Sequence, residues 1–170
     1  MLKINHYTLF TLLLIMFVTG IAGITNGAEY VGVKNCKICH IQQNKSWQKT
    51  GMATSFESLK PGIKAEEKKK AGIDPDKDYT ADPNCLKCHT TGYGKPGGFI
   101  SLAETPKLIN VQCEVCHGAG SDFRRIMKDK KFKLSDAKAA GLIVPNEKEN
   151  TCMECHGGDS PFNEKINPII

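Results

Sequence analysis

The motif Cys-x-x-Cys-His occurs four times, at Cys36–His40, Cys85–His89, Cys113–His117 and Cys152–His156, and these repeats use all eight cysteines of the chain. The pairs Cys36 and Cys39, Cys85 and Cys88, Cys113 and Cys116, and Cys152 and Cys155 each offer two thiols for thioether bonds to haem vinyl groups. His40, His89, His117 and His156 follow one residue later, placed to take the proximal axial position of the iron. On a single helical turn the second cysteine and the histidine stay close enough to share one macrocycle. The chemistry indicated is four covalently attached haem c groups. Disulfides suit an even number of cysteines in an exported chain, and zinc suits paired cysteines. Neither explains a histidine in the same slot after all four pairs, when the only other histidine is His6.

The ligand-bearing part begins after residue 28. Residues 1–28 carry Lys3, an apolar stretch from Leu9 through Val18 continuing to Ile24, and a small-residue exit at Asn26-Gly27-Ala28, which reads as a secretory signal peptide. An uncleaved membrane anchor is the competing reading, and contact with a membrane is expected only in that case. No cysteine stands at the exit, which excludes a lipoprotein. Covalent haem attachment takes place outside the bacterial cytoplasm, so a periplasmic location is expected on either reading.

Residues 29–170 are expected to form one tetrahaem domain. Its 142 residues amount to roughly 36 per motif, too few for a protein-only core enclosing four porphyrins separately. The haems must serve as core, and the fold class expected is mainly α, with little or no β-structure. Without the leader the chain has 22 Lys and Arg against 18 Asp and Glu, a formal +4. A ferric haem with both propionates ionised adds about −1, which brings the loaded protein near neutrality and removes nucleic acid as a partner.

Residues 41–59 are rich in helix formers and end at Pro61-Gly62, predicting a helix that leaves the first motif. Residues 63–71 read as a solvated helix stopped by Gly72; a docking patch built from Lys64, Lys68, Lys69 and Lys70 is the sharper alternative. Asp74-Pro75-Asp76 and Asp82-Pro83-Asn84 are turn signals that lead to the second motif. Residues 91–98 form a glycine-rich loop, read as turn chemistry, and residues 121–140 a basic helical stretch ended by Gly141. Residues 157–170 read as a tail over the haem array. No strand pattern is present.

All histidines beyond the leader are used as proximal ligands, so distal ligands from this chain must be of another kind. Met52, twelve residues after His40, and Met127, ten after His117, are the candidate thioether donors. Methionine on a helix is otherwise core filling. Met153 lies between the cysteines of the fourth motif and reads as a spacer. Trp47 and Phe56 are expected to pack against porphyrin, and Arg124 and Arg125 to pair with propionates or remain solvated.

Beyond the haem motifs, the chain from the first motif to about Phe132 carries Ser46-Trp47, Glu57-Ser58-Leu59-Lys60-Pro61, Asp74-Pro75, Lys77-Asp78-Tyr79-Thr80, Gly97-Gly98, Cys113-Glu114, Cys116-His117-Gly118, Gly120 and Phe123-Arg124. In these segments it resembles the tetrahaem cytochrome family that accepts electrons from hydroxylamine oxidoreductase in ammonia-oxidising bacteria. In that family the first and third haems take distal histidines, each from the helix that follows the other haem's motif. Met52 and Met127 stand at the matching positions. The resemblance therefore implies Met127 on the first iron and Met52 on the third, with potentials raised by thioether ligation. It also implies a five-coordinate second haem, and it leaves the fourth without an assigned distal ligand.

The function expected is a periplasmic carrier that passes single electrons to and from redox partner proteins, either other cytochromes or a periplasmic oxidoreductase. No conventional catalytic constellation is present. The competing class is a small-molecule redox enzyme or gas sensor acting on nitric oxide, nitrite or hydroxylamine at an open iron.

Overall fold

The computed structural model describes residues 27–145 and 153–157. The expectations for the leader, for Cys152 and for nearly all of the C-terminal tail fall outside these residues. The described chain is helices and turns with no strand; a single isolated bridge pairs Thr90 with Ile109.

Among the described residues eight short α-helices follow in order: α1 Val33–Cys36, α2 Ile41–Trp47, α3 Ala65–Lys70, α4 Pro83–His89, α5 Cys113–His117, α6 Phe123–Ile126, α7 Leu134–Ala139 and α8 Met153–His156. Two 3-10 helices, Gly51–Leu59 and Pro106–Leu108, complete the set. Motif residues end or fill α1, α4, α5 and α8, so the described cysteines are presented in or directly beside a local helical turn. In the first motif the carbonyl of Cys36 accepts from the amides of Cys39 (3.2 Å) and His40 (3.0 Å). Asp82 caps α4 by accepting from the Asn84 amide at 2.9 Å, with Pro83 at the first helical position.

The predicted helix over 41–59 divides. Regular α-structure stops at Trp47, and Gly51–Leu59 continues as 3-10 structure with a kink at Thr54. The break frees the Met52 carbonyl to accept from the amide of Val111 at 3.2 Å, a long-range bond that a continuous helix would forbid. The basic stretch 121–140 likewise divides into α6 and α7, which pack against each other.

The apolar core joins Tyr30, Phe56, Leu59, Tyr79, Leu86, Phe99 and Leu108. It lies around α4, with the Phe56 and Phe99 rings 6.0 Å apart. The glycine loop closes over it. A side chain at Gly98 would strike the Gly92 carbonyl, and one at Gly92 (φ +74) the ring of Tyr30, so these glycines permit close approach between chain segments. In α3, Lys68 is buried, donates to the Lys60 carbonyl at 2.6 Å and lies 5.4 Å from the centre of the Tyr79 ring. Lys64 and Lys69 pair with Glu67 and Glu66 along the same helix. A helix with one lysine buried and two neutralised is poorly suited to be the docking patch considered from sequence.

Candidate haem-binding sites

The four motifs come together in pairs that alternate along the chain. The thiol of Cys36 bonds to the sulfur of Cys113, and α1 packs on α5, bringing the first motif against the third. Cys88 and Cys155 make the same kind of contact and α4 packs on α8, bringing the second against the fourth. Accepting these bonds pulls the Cys88 and Cys113 thiols down to about 7. The seven described cysteines carry no disulfide. A cleft of about 180 Å³ is lined by residues of the second, third and fourth motifs, Lys87, Val115 and Cys155, together with Tyr30.

Two of the histidines are held by one ring nitrogen. His89 Nδ1 lies 2.7 Å from the carbonyl oxygen of Ser55 and 3.2 Å from the hydroxyl of Ser58, which itself donates to the Ser55 carbonyl at 2.6 Å. His117 Nδ1 lies 3.0 Å from the Ile143 carbonyl, and the Ile143 amide returns a 3.0 Å bond to the His117 carbonyl. A carbonyl can only accept, so Nδ1 carries the proton and Nε2 keeps its lone pair for a metal. Burial also pushes the His89 imidazole below its usual value, favouring the neutral form that ligation needs. This is the donor chemistry a haem iron requires. Sequence reading gave Ser55, Ser58 and Ile143 no role at the histidines; the acceptors of the Nδ1 protons are mostly backbone carbonyls, which leave no mark on residue type.

The first and third motifs are joined by side chains to which sequence reading gave no structural role. Glu114, buried between the cysteines of the third motif, accepts from the amides of Val31 (2.9 Å), Gly32 (2.7 Å) and Gly120 (2.7 Å). Gln112 accepts from Val33 at 2.5 Å and donates to the carbonyls of Lys107 and Ile109. Three consecutive amides ahead of the first motif thus end on two side chains, one within the third motif and one just ahead of it. A carboxylate inside a Cys-x-x-Cys spacer was the available signal.

The candidate distal residues occupy the corresponding crossed segments. Met52, half exposed, sits where its own carbonyl holds Val111, two residues before Cys113. Trp47 Nε1 donates to the Val111 carbonyl at 2.8 Å, and the Phe56 amide donates to the side-chain oxygen of Asn110 at 2.9 Å. The chain leaving the first motif is therefore fastened to the entry of the third. Met127 ends α6, whose approach is tied to the entry of the first: the Ser121 amide donates to the Glu29 carbonyl, and the Glu29 amide to the Ser121 hydroxyl. Arg124, in α6, lies close enough for its charge to act on the Cys36 thiol, and its Nε is buried without a hydrogen-bond partner among the described residues. Arg125 pairs with Asp122 at 2.5 Å.

Residues 35–118 match the family described as cytochrome c554 and c-prime. The solved structure of reduced cytochrome c554 from Nitrosomonas europaea superposes with a TM-score of 0.69 at 37% identity, covering 84% of this chain and 73% of that one. The chain belongs to the cytochrome c554 family. Curated cytochrome c-554 of the same organism is 47% identical over 97 residues, which are 57% of this chain and 41% of the relative. The matched segment is thus less than half of that relative's length. The cofactor of this c554-family cytochrome is haem c, four per chain, and the expected mainly α, haem-cored fold is the one observed. No helix among the described residues is long and apolar enough to cross a membrane.

Proposed function

We propose that this c554-family cytochrome is a periplasmic electron carrier, exported by the leader 1–28, whose domain 29–170 exchanges single electrons with redox partner proteins. Bound haem supplies an iron that gains and loses one electron at a time. The observation that carries the reading is the contact of motifs in two pairs, first with third and second with fourth, because cysteines in contact would hold the macrocycles attached to them side by side. Electrons can then pass within a pair without any moving part.

In this reading Cys36 and Cys39, Cys85 and Cys88, Cys113 and Cys116, and Cys152 and Cys155 each hold one haem, and His40, His89, His117 and His156 are the proximal ligands. The hydrogen bonds at His89 and His117 orient those two rings and raise their basicity as ligands. Met127 serves the first iron and Met52 the third. This crossed assignment draws support from the two backbone ties, Met52 to Val111 and Ser121 to Glu29, each of which brings one methionine's segment to the other motif. The orphaned Nε of Arg124 suits a haem propionate of the first site, where its charge would favour the reduced-state balance set by thioether ligation.

The test is absorption and magnetic spectroscopy of the oxidised holoprotein beside Met52→Ala and Met127→Ala. The weak far-red absorption of ferric methionine-ligated haem is expected in the parent, to fall by about half in each variant and to vanish in the double variant. A parent with mostly high-spin iron and no such absorption overturns the His/Met assignment and favours small-molecule chemistry at open iron.

A further inference from the structure

We propose that the surface around the first and third motifs is the docking face for the acidic surface of a redox partner protein. The proposal rests on the electron-carrier reading and adds the face and the partner's chemistry.

Charge is divided unequally between the two motif pairs. The segments that build the first and third sites, residues 27–56 and 111–145, hold eleven Lys and Arg against five Asp and Glu, and one of those acids, Glu114, is buried. Residues 57–110, which build the second site, hold nine against eight, and the sequence 146–170 around the fourth motif holds two against five. Each pair of motifs would take two haems of equal charge, so the cofactors shift both counts alike and the difference remains.

The cations also differ in what surrounds them. On the segments of the second site, Lys60, Lys64 and Lys69 are paired with Glu57, Glu67 and Glu66, and Lys68 is buried. Around the first motif, Lys34, Lys37, Lys45 and Lys49 are exposed, with no Asp or Glu between Glu29 and Glu57 to answer them. Their fields therefore add toward solvent. Within the same stretch Ile38 and Ile41 are 68% and 54% exposed, and Cys39 and His40 are exposed beside them. Apolar surface amid cations that make no ion pair with the described residues, at the attachment point of a redox group, has the layout of a transient protein interface: charge steers the encounter and the apolar contact holds it. Anionic lipid would use the cations but gives no role to a redox group at their centre.

The experiment uses the full-length holoprotein and flavodoxin hydroquinone, an acidic protein that donates one electron to a haem iron and becomes the semiquinone. Stopped-flow rates are compared at low and high ionic strength for the parent, for Lys34→Glu/Lys37→Glu/Lys45→Glu/Lys49→Glu, and for the charge-matched control Lys64→Glu/Lys69→Glu/Lys70→Glu/Lys107→Glu. The first variant is expected to be about tenfold slower at low salt and to lose its salt dependence, with the control within about twofold of the parent. Equal losses in both variants, or none in the first, overturn the face. So does retention of the parent, but not the first variant, on phosphatidylglycerol vesicles together with unchanged flavodoxin rates. The methionine spectra test the carrier reading separately, so a six-coordinate protein with salt-insensitive exchange overturns the face alone.

Discussion

The imidazoles of His89 and His117 face the chain on one side through Nδ1 and leave Nε2 to its other neighbour. Such an arrangement fixes tautomer and ring plane before any metal arrives. The cysteines and histidines were legible from sequence because covalent attachment dictates their spacing, whereas the carbonyls that orient them belong to Ser55 and Ile143 only by geometry. Glu114 is the residue with the most depending on it. Its carboxylate satisfies three amides in a buried setting, and no other acceptor replaces it when the side chain is cut. Glu114→Ala should therefore destabilise the holoprotein by about 3 kcal/mol, measured by denaturant unfolding followed at the haem absorption. Glu114→Gln keeps one acceptor oxygen and should lose about half of that.

Helix boundaries followed the sequence where a residue type enforces them, as Asp82 and Pro83 do at the start of α4. They departed from it where a distant segment competes for backbone groups. Residues 41–59 have helical composition, but Met52, Ser55 and Trp47 all give atoms to Val111, and the regular ladder gives way to tighter turns. Alanine-level propensity is worth tenths of a kcal/mol per residue, less than a long-range bond between partly buried groups. In α3 the run Lys68-Lys69-Lys70 looks uniform as text, yet the helix turns only the first inward. Lys68→Met should cost about 1–2 kcal/mol through its lost bond to the Lys60 carbonyl and its contact with Tyr79, while Lys69→Met should stay within about 0.5 kcal/mol, both read from thermal unfolding of holoprotein.

For the whole molecule, the count of porphyrins per residue made a haem-cored, helical fold legible, but the partnering of motifs was not, since nothing in four equal repeats says which meets which. Among the described residues nine apolar side chains are buried, most of them around α4. That is a small core for the residues described. Chain produced without haem attachment, with all eight cysteines replaced by serine, should show no cooperative thermal transition by circular dichroism, whereas the holoprotein unfolds cooperatively. The alternating pairing bears on assembly in time. Cys36 meets Cys113, 77 positions on, and Cys88 meets Cys155, 67 positions on. A polypeptide appearing from its N-terminus exposes two motifs before either counterpart exists, and neither loop can close early. The thiols of both early motifs therefore wait as open chain, accessible to the machinery that loads them, and the final packing is delayed until the last quarter of the chain has emerged.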